Sequence, residues 1–164
     1  MDIENLNRIA FQYSRKEDFH LIEFQWNGKF GKELEDANGE FRIQLCEFIF
    51  PQIEKVNIEL IRDLYMEFAK ASEAALGAYM KLNLLGQELL IRAYPKYLMD
   101  YLEGASYNSD VYAASAKINI SKELAKQILS FIEEKLKETA NEKEKKLLEQ
   151  IGKIRFGWLA GDRL

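Results

Sequence analysis

Apolar residues recur at intervals of three and four along most of this chain, and only two prolines, Pro51 and Pro95, interrupt it. That spacing lines side chains along one face of a helix, so helices burying one stripe against each other are the architecture most open to it. Asp2 is placed to cap a first helix whose Ile3, Leu6, Ile9, Ala10 and Tyr13 share a face. Ser14 and Glu17 have the spacing of a capping box that would start a second. From Pro51, a residue suited to a first helical turn, Ile53, Val56, Leu60, Leu64 and Phe68 continue one face. The small residues Ala74, Ala75, Gly77 and Ala78 then suggest close approach of another backbone. Leu82, Leu84, Leu85, Leu89 and Leu90 surround the next stretch, as in a central buried helix, with Gly86 expected to break or bend it.

Further on, Pro95 is expected to open a short helix closed by Gly104. Residues 105–119 read as a loop or a weak helix through Val111 and Tyr112. Ser121 and Asn141 are placed to cap two amphipathic helices, the first burying Leu124, Ile128, Phe131, Ile132 and Leu136. The second buries Leu147, Leu148, Ile151 and Ile154, after which Phe156 and Trp158 are expected to pin the tail. Glu88–Arg92, Glu133–Lys137, Glu142–Lys146 and Glu149–Lys153 have the spacing of helical ion pairs.

Two segments carry both periods. Phe19, Ile22 and Trp26 suit a helix, whereas Ile22, Phe24 and Trp26 alternate with polar residues as in a strand, before the turn signal Asn27-Gly28. Phe41, Ile43 and Leu45 alternate in the same way. Helix is favoured for both, with a small β-hairpin pairing 20–26 with 41–46 as the alternative. The expected fold is mainly α: one helical domain over 1–164, either a bundle or a short solenoid-like stack of antiparallel helices.

A chain of 164 residues buries an adequate core without disulfides. Cys46 is the only cysteine, which excludes an intrachain disulfide and a cysteine-rich zinc site. No run approaches the roughly 18 to 20 apolar residues that span a bilayer. The opening Met1-Asp2-Ile3-Glu4-Asn5 lacks the basic-then-apolar layout of a secretion signal, so a cytoplasmic protein without membrane association is expected. Residues 1–112 hold 12 basic and 19 acidic side chains, a net of −7, against +3 for the remainder. An acidic surface opposes nucleic-acid phosphates and suits a basic partner.

Catalytic material is thin. His20 is the only histidine, and a thiol–imidazole pair would have to join it to Cys46, which lies in an apolar run. Glu59 and Asp63 stand one helical turn apart, a spacing open to metal or acid–base chemistry but ordinary on a solvated helix face, the reading preferred here. The glycines match neither the phosphate-loop spacing nor the dinucleotide fingerprint, so no cofactor and no metal are expected. Lys143, Lys145 and Lys146 are interleaved with acids, as on a solvated helix.

The densest feature is aromatic. Tyr94, Tyr97, Tyr101, Tyr107 and Tyr112 fall within 19 positions, with Asp100, Glu103 and Asp110 among them. Tyrosine joins a large apolar face to a hydrogen-bonding tip, which makes it common at protein interfaces. Tyr94, Tyr97 and Tyr101 are spaced to share a helical face, with Leu98 and Leu102 turned to the core and Tyr107 and Tyr112 on a following loop. These eight residues are the candidate partner-binding site. A compact, acidic, helical chain with such a patch and no catalytic motif resembles in general type the bacterial immunity proteins of contact-dependent and other polymorphic toxin systems. The resemblance implies a non-enzymatic inhibitor of a cognate toxin, basic and nuclease-like, with acids opposing the toxin's phosphate pocket and tyrosines anchoring the contact. Two other readings stand beside it: a small enzyme using carboxylates or Cys46, and a structural module self-associating through Leu82–Leu90.

Overall fold

The computed structural model describes residues 2–161; Met1 and the last three residues of the expected 1–164 domain lie outside the described residues. The chain is a mainly α bundle, with helices α1 (Ile3–Gln12), α2 (Arg15–Ile22), α3 (Gly39–Ile49), α4 (Ile58–Ala75) and α5 (Leu82–Ala93). These are followed by α6 (Leu98–Ala105), α7 (Ser109–Ser115), α8 (Lys122–Glu138), α9 (Glu142–Leu147) and α10 (Ile154–Ala160). A π-helical turn, Leu148–Lys153, joins α9 to α10 without leaving helical backbone, so the two run on as one rod. No described helix is long and apolar enough to cross a membrane.

The long helix α4 is the axis of the fold. Its Leu60, Ile61, Leu64, Tyr65 and Ala69 are fully buried, and it packs against α2, α5, α6 and α7. The C-terminal hairpin of α8 with α10 joins this group through α6, which touches α9 and the π turn. Of the two segments of mixed period, 41–46 lies in α3, where Arg42, Leu45, Cys46 and Ile49 are buried on a helical spacing, whereas the first is helical only to Ile22, where α2 ends, and 23–26 leave the helix. The alternative hairpin between them is absent from the described residues. Instead an isolated antiparallel bridge pairs Trp26 with Asp36 inside the connecting segment.

Asp2, Ser121 and Asn141 cap their helices through side-chain oxygens. Ser14 makes no side-chain cap; the bond at that end is reversed, with the Ser14 N–H donating to Asp18 at 2.9 Å. The helix anticipated from Pro51 is broken. Pro51 lies in a tight 3-10 stretch, Phe50–Lys55, after which Val56 turns extended and Asn57 caps α4 afresh. The break puts the Asn57 N–H on the Ala10 carbonyl at 2.8 Å, and Arg92 donates to the Val56 carbonyl it frees and to the Ile53 carbonyl, which also accepts the Val56 N–H. The small residues at 74–78 finish α4 and its turn, where Leu76 takes a left-handed conformation at φ 53°. Of the anticipated helical ion pairs, Glu88–Arg92 forms, at 3.9 Å; the C-terminal lysines pair instead at Lys135–Glu138 and Lys145–Glu142. At the tail Phe156 is fully buried but Trp158 is 78% exposed.

Candidate functional site

The tyrosine stretch does not present one face. Helix α6 starts at Leu98, so Tyr94 and Tyr97 precede it and cannot share a helical face with Tyr101. Tyr94 leans on Phe131 of α8 and donates its hydroxyl to the Gln127 carbonyl at 3.1 Å. Tyr97 is nearly buried, with the Lys96 ammonium over its ring. Asp100 accepts from Arg62 at 2.6 Å, and Glu103 accepts from Lys143 of α9 at 2.6 Å. Tyr107 is half-buried, and burial raises its phenol pKa. Asp110 is exposed and forms no ion pair among the described residues. Tyr112 sits on α7, which is helix where a loop was the alternative.

Tyr101 lies wholly in the core, stacked on Tyr65 at 5.7 Å between ring centres. Two glycines make this possible. A Cβ on Gly86 would lie 2.9 Å from Cε2 of Tyr101, and one on Gly104 would collide with Cε1 of Tyr65. Gly86 therefore does not break α5, which runs on from Leu82 to Ala93, and Gly104 does not close α6; each is the wall of a slot for a ring. The hydroxyls inside are satisfied, as buried polar groups must be. Tyr65 donates to the Tyr101 carbonyl at 2.9 Å, and Tyr101 donates to the Ser115 carbonyl at 2.8 Å. Arg155 of α10 donates to the Tyr101 hydroxyl and to the Tyr112 carbonyl, both at 2.8 Å, with its guanidinium 4.5 Å from the Tyr112 ring centre. Burial pushes the Tyr101 phenol up to about 12. This network holds α4, α6, α7 and α10 together, and its buried Tyr65 and Tyr101 offer nothing to a partner.

What stays accessible is a groove of about 490 Å³ where α6 and α7 face α9. Ser106, Asn108, Ser109 and Tyr112 form one wall, Lys143, Lys146 and Gln150 the other, and Leu147 and Ile151 the apolar floor. A second, smaller cleft gathers Arg15, Glu59, Arg62, Asp63, Tyr97 and Asp100. Asp63 there is buried rather than on a solvated face, which corrects the reading of its helix surface. The reason is a ready set of donors: the Tyr13 hydroxyl at 2.8 Å, Arg15 at 3.2 Å and Arg62. Glu59 remains exposed and pairs loosely with Lys96 at 3.8 Å.

Cys46 is sealed in the core, where burial pushes its thiol up to about 12, so at neutral pH it is not a thiolate. His20 is exposed, and no hydrogen bond among the described residues joins the two. Among the described residues no group of three or more His, Cys, Asp or Glu side chains could hold a metal ion. Leu82, Leu85, Leu89 and Leu90 are fully buried within the chain, so the face suggested for self-association is spent on its own core.

Sequence reasoning missed the segment 23–38. It is fastened from beneath by charges. Arg42, 1% exposed, pairs with Asp36 and donates to the Ile22 carbonyl at 3.1 Å; buried Glu67 accepts from the Phe24 N–H at 2.9 Å. On top of these anchors Trp26 and Phe30 stand exposed. The available signal was the coincidence of Asn27-Gly28, Gly31 and three aromatics in one polar stretch. Compared with protein-family models, with characterised proteins and with solved structures, the chain matches none.

Proposed function

We propose that the protein is a small inhibitory binding protein of the immunity type, which neutralises a cognate, basic, nuclease-like bacterial toxin. One observation carries the reading. Of the basic residues up to position 112, only Lys16, Lys32, Lys55 and Lys81 stay outside ion pairs among the described residues. Glu17, Glu35, Glu40, Glu47, Glu54, Glu73 and Asp110 are exposed carboxylates with no such partner. Every arginine of this region is paired with an acid, Asp18 and Asp63 among them buried, and the surface left over is negative. Such a surface speeds encounter with a basic protein, while a few well-packed side chains set the lifetime of the complex. Tyr107 and Tyr112, beside the α6–α7–α9 groove, are the members of the tyrosine stretch fit to anchor it; Tyr101 serves the fold.

The test is protection in cells. The chain is co-expressed with the toxin-like product of the reading frame beside its own gene, and survival is scored. Protection should fail in a Tyr112→Ala/Asp110→Lys variant that still folds, and the association rate of the purified pair should fall steeply with salt. Absence of protection by the unaltered chain, or a salt-independent rate, overturns the proposal.

A further inference from the structure

The segment between α2 and α3, residues 23–38, is long for a connection whose one regular element is a 3-10 turn, Gly31–Glu33, and loops of this length inside a compact fold usually serve a function. It is not loose. The Asn27 N–H donates to the Glu35 carbonyl at 3.1 Å, the Ala37 N–H to the Gln25 carbonyl at 3.2 Å, and the Asn38 amide to the His20 and Glu23 carbonyls at 3.0 and 2.8 Å. The indole N–H of Trp26 is spent on the Lys29 carbonyl, which fixes the ring. So rigid a frame holds aromatic rings outward: Trp26 is 42% exposed and Phe30 56%.

The rings are arranged as walls. Phe24 lies nearly parallel to Trp26, at 18° and 6.3 Å, and Phe30 stands across Trp26 at 72° and 4.8 Å. With Ala74, Lys70 and Glu73 of α4 they line a pocket of about 230 Å³. Elsewhere the protein places its own arginines and lysines over ring faces, as at Phe19, Phe50, Phe68, Tyr97 and Tyr112. Over Phe24, Trp26 and Phe30 no cation of the described residues stands. Lys70 lines the pocket, but its ammonium is held by Glu67 at 2.5 Å. Glu73 has no ion-pair partner among the described residues. The pocket thus joins electron-rich ring faces to one unneutralised carboxylate, the combination that attracts an organic cation.

We infer that this pocket receives a basic side chain, lysine or arginine, of a protein partner, its charged head against the Trp26 and Phe30 rings and toward Glu73. The inference rests on the binding-protein reading only in assigning the cation to a protein; the groove beside Tyr112 plays no part in it. Trp158 is mostly exposed and is the only other tryptophan, so a Trp158→Phe protein makes Trp26 the sole indole reporter. That protein is titrated, at constant ionic strength, with the N-acetyl methylamides of lysine and arginine and of norleucine, the uncharged counterpart.

The basic probes should shift Trp26 emission saturably in the millimolar range. Glu73→Gln and Phe30→Ala should each weaken them about tenfold, and norleucine should bind at least about tenfold more weakly. Equal response to norleucine and lysine, no loss in Glu73→Gln, or no saturation by either basic probe overturns the inference. The Glu73→Gln protein is also put through the protection assay. Loss of probe binding with a Tyr112-dependent rescue intact leaves the toxin reading standing; probe binding without any rescue leaves the pocket standing and removes the toxin.

Discussion

Two aromatic clusters in this protein have opposite fates. Around Tyr65 and Tyr101 the rings are fully buried, stacked between helices, with every hydroxyl bonded. Around Trp26 and Phe30 the rings stand at the surface on a segment pinned by Arg42, Asp36 and Glu67. The tyrosine stretch is the denser of the two in sequence, yet much of it is structural. The difference lies in the neighbours. Gly86 and Gly104 open slots that admit tyrosine rings, and nearby carbonyls satisfy their tips. Beneath the 23–38 segment the space is already filled by buried charged groups, so its rings are left outside. Aromatic density marks where packing area is available; it does not say which side of the surface will use it.

The comparison breaks first at the glycine slot. Gly104→Ala drives a Cβ into the Tyr65 ring and should cost about 3 kcal/mol or prevent folding, read as the urea midpoint. A loss below about 1 kcal/mol would mean that the stacked pair shifts freely and that the slot is not what buries it. Next, Tyr101→Phe leaves the Ser115 carbonyl without its donor and deprives Arg155 of an acceptor. A cost of about 2 kcal/mol is expected, with the Trp26 response to basic probes unchanged. A changed Trp26 response would show the two clusters to be coupled.

Acid should expose a third, weaker contribution. Hydrogen bonds from Arg8 hold the Asp18 carboxyl below its ordinary value, with the Ser14 N–H adding to the effect. Its folded pKa therefore lies below the unfolded one, so its stabilisation is complete above the unfolded value of about 3.9 and fades as pH falls through the folded one. Asp18→Asn should lower stability at neutral pH and flatten the acid limb of the stability curve; an unchanged limb removes Asp18 from the account. The smallest effect belongs to the exposed cluster. Phe30→Ala should change stability by no more than about 0.5 kcal/mol while impairing cation binding, as fits a surface residue kept for contact. A loss above about 2 kcal/mol would place Phe30 with the buried group and erase the contrast.

Much of the helical frame was legible. The caps at Asp2, Ser121 and Asn141 and the burial of Leu82–Leu90 follow from local rules, because an orphan N–H takes the nearest side-chain oxygen and an apolar stripe takes the core. The break before α4 was not legible, since the Val56 carbonyl it frees is satisfied by Arg92, 36 residues away. Nor was the inward turn of Tyr101. Its spacing from Tyr97 fitted a surface stripe, and only the facing glycines on α5 and α6 show that a ring fits inside. Asp63 looked like an ordinary acid of a helix face until Tyr13 and Arg15 covered it.

By itself, the sequence determined that this chain is helical, where α1, α2, α8 and α9 begin, and that its first two-thirds carry excess negative charge. Those properties depend on neighbours within one or two helical turns, or on composition alone. Tertiary structure decided which charges are consumed internally, which tyrosines become core, and that Phe24, Trp26 and Phe30 meet Glu73 in one pocket. Each of those outcomes depends on groups far apart in sequence competing for the same space and the same hydrogen-bond partners, and no local period records the result.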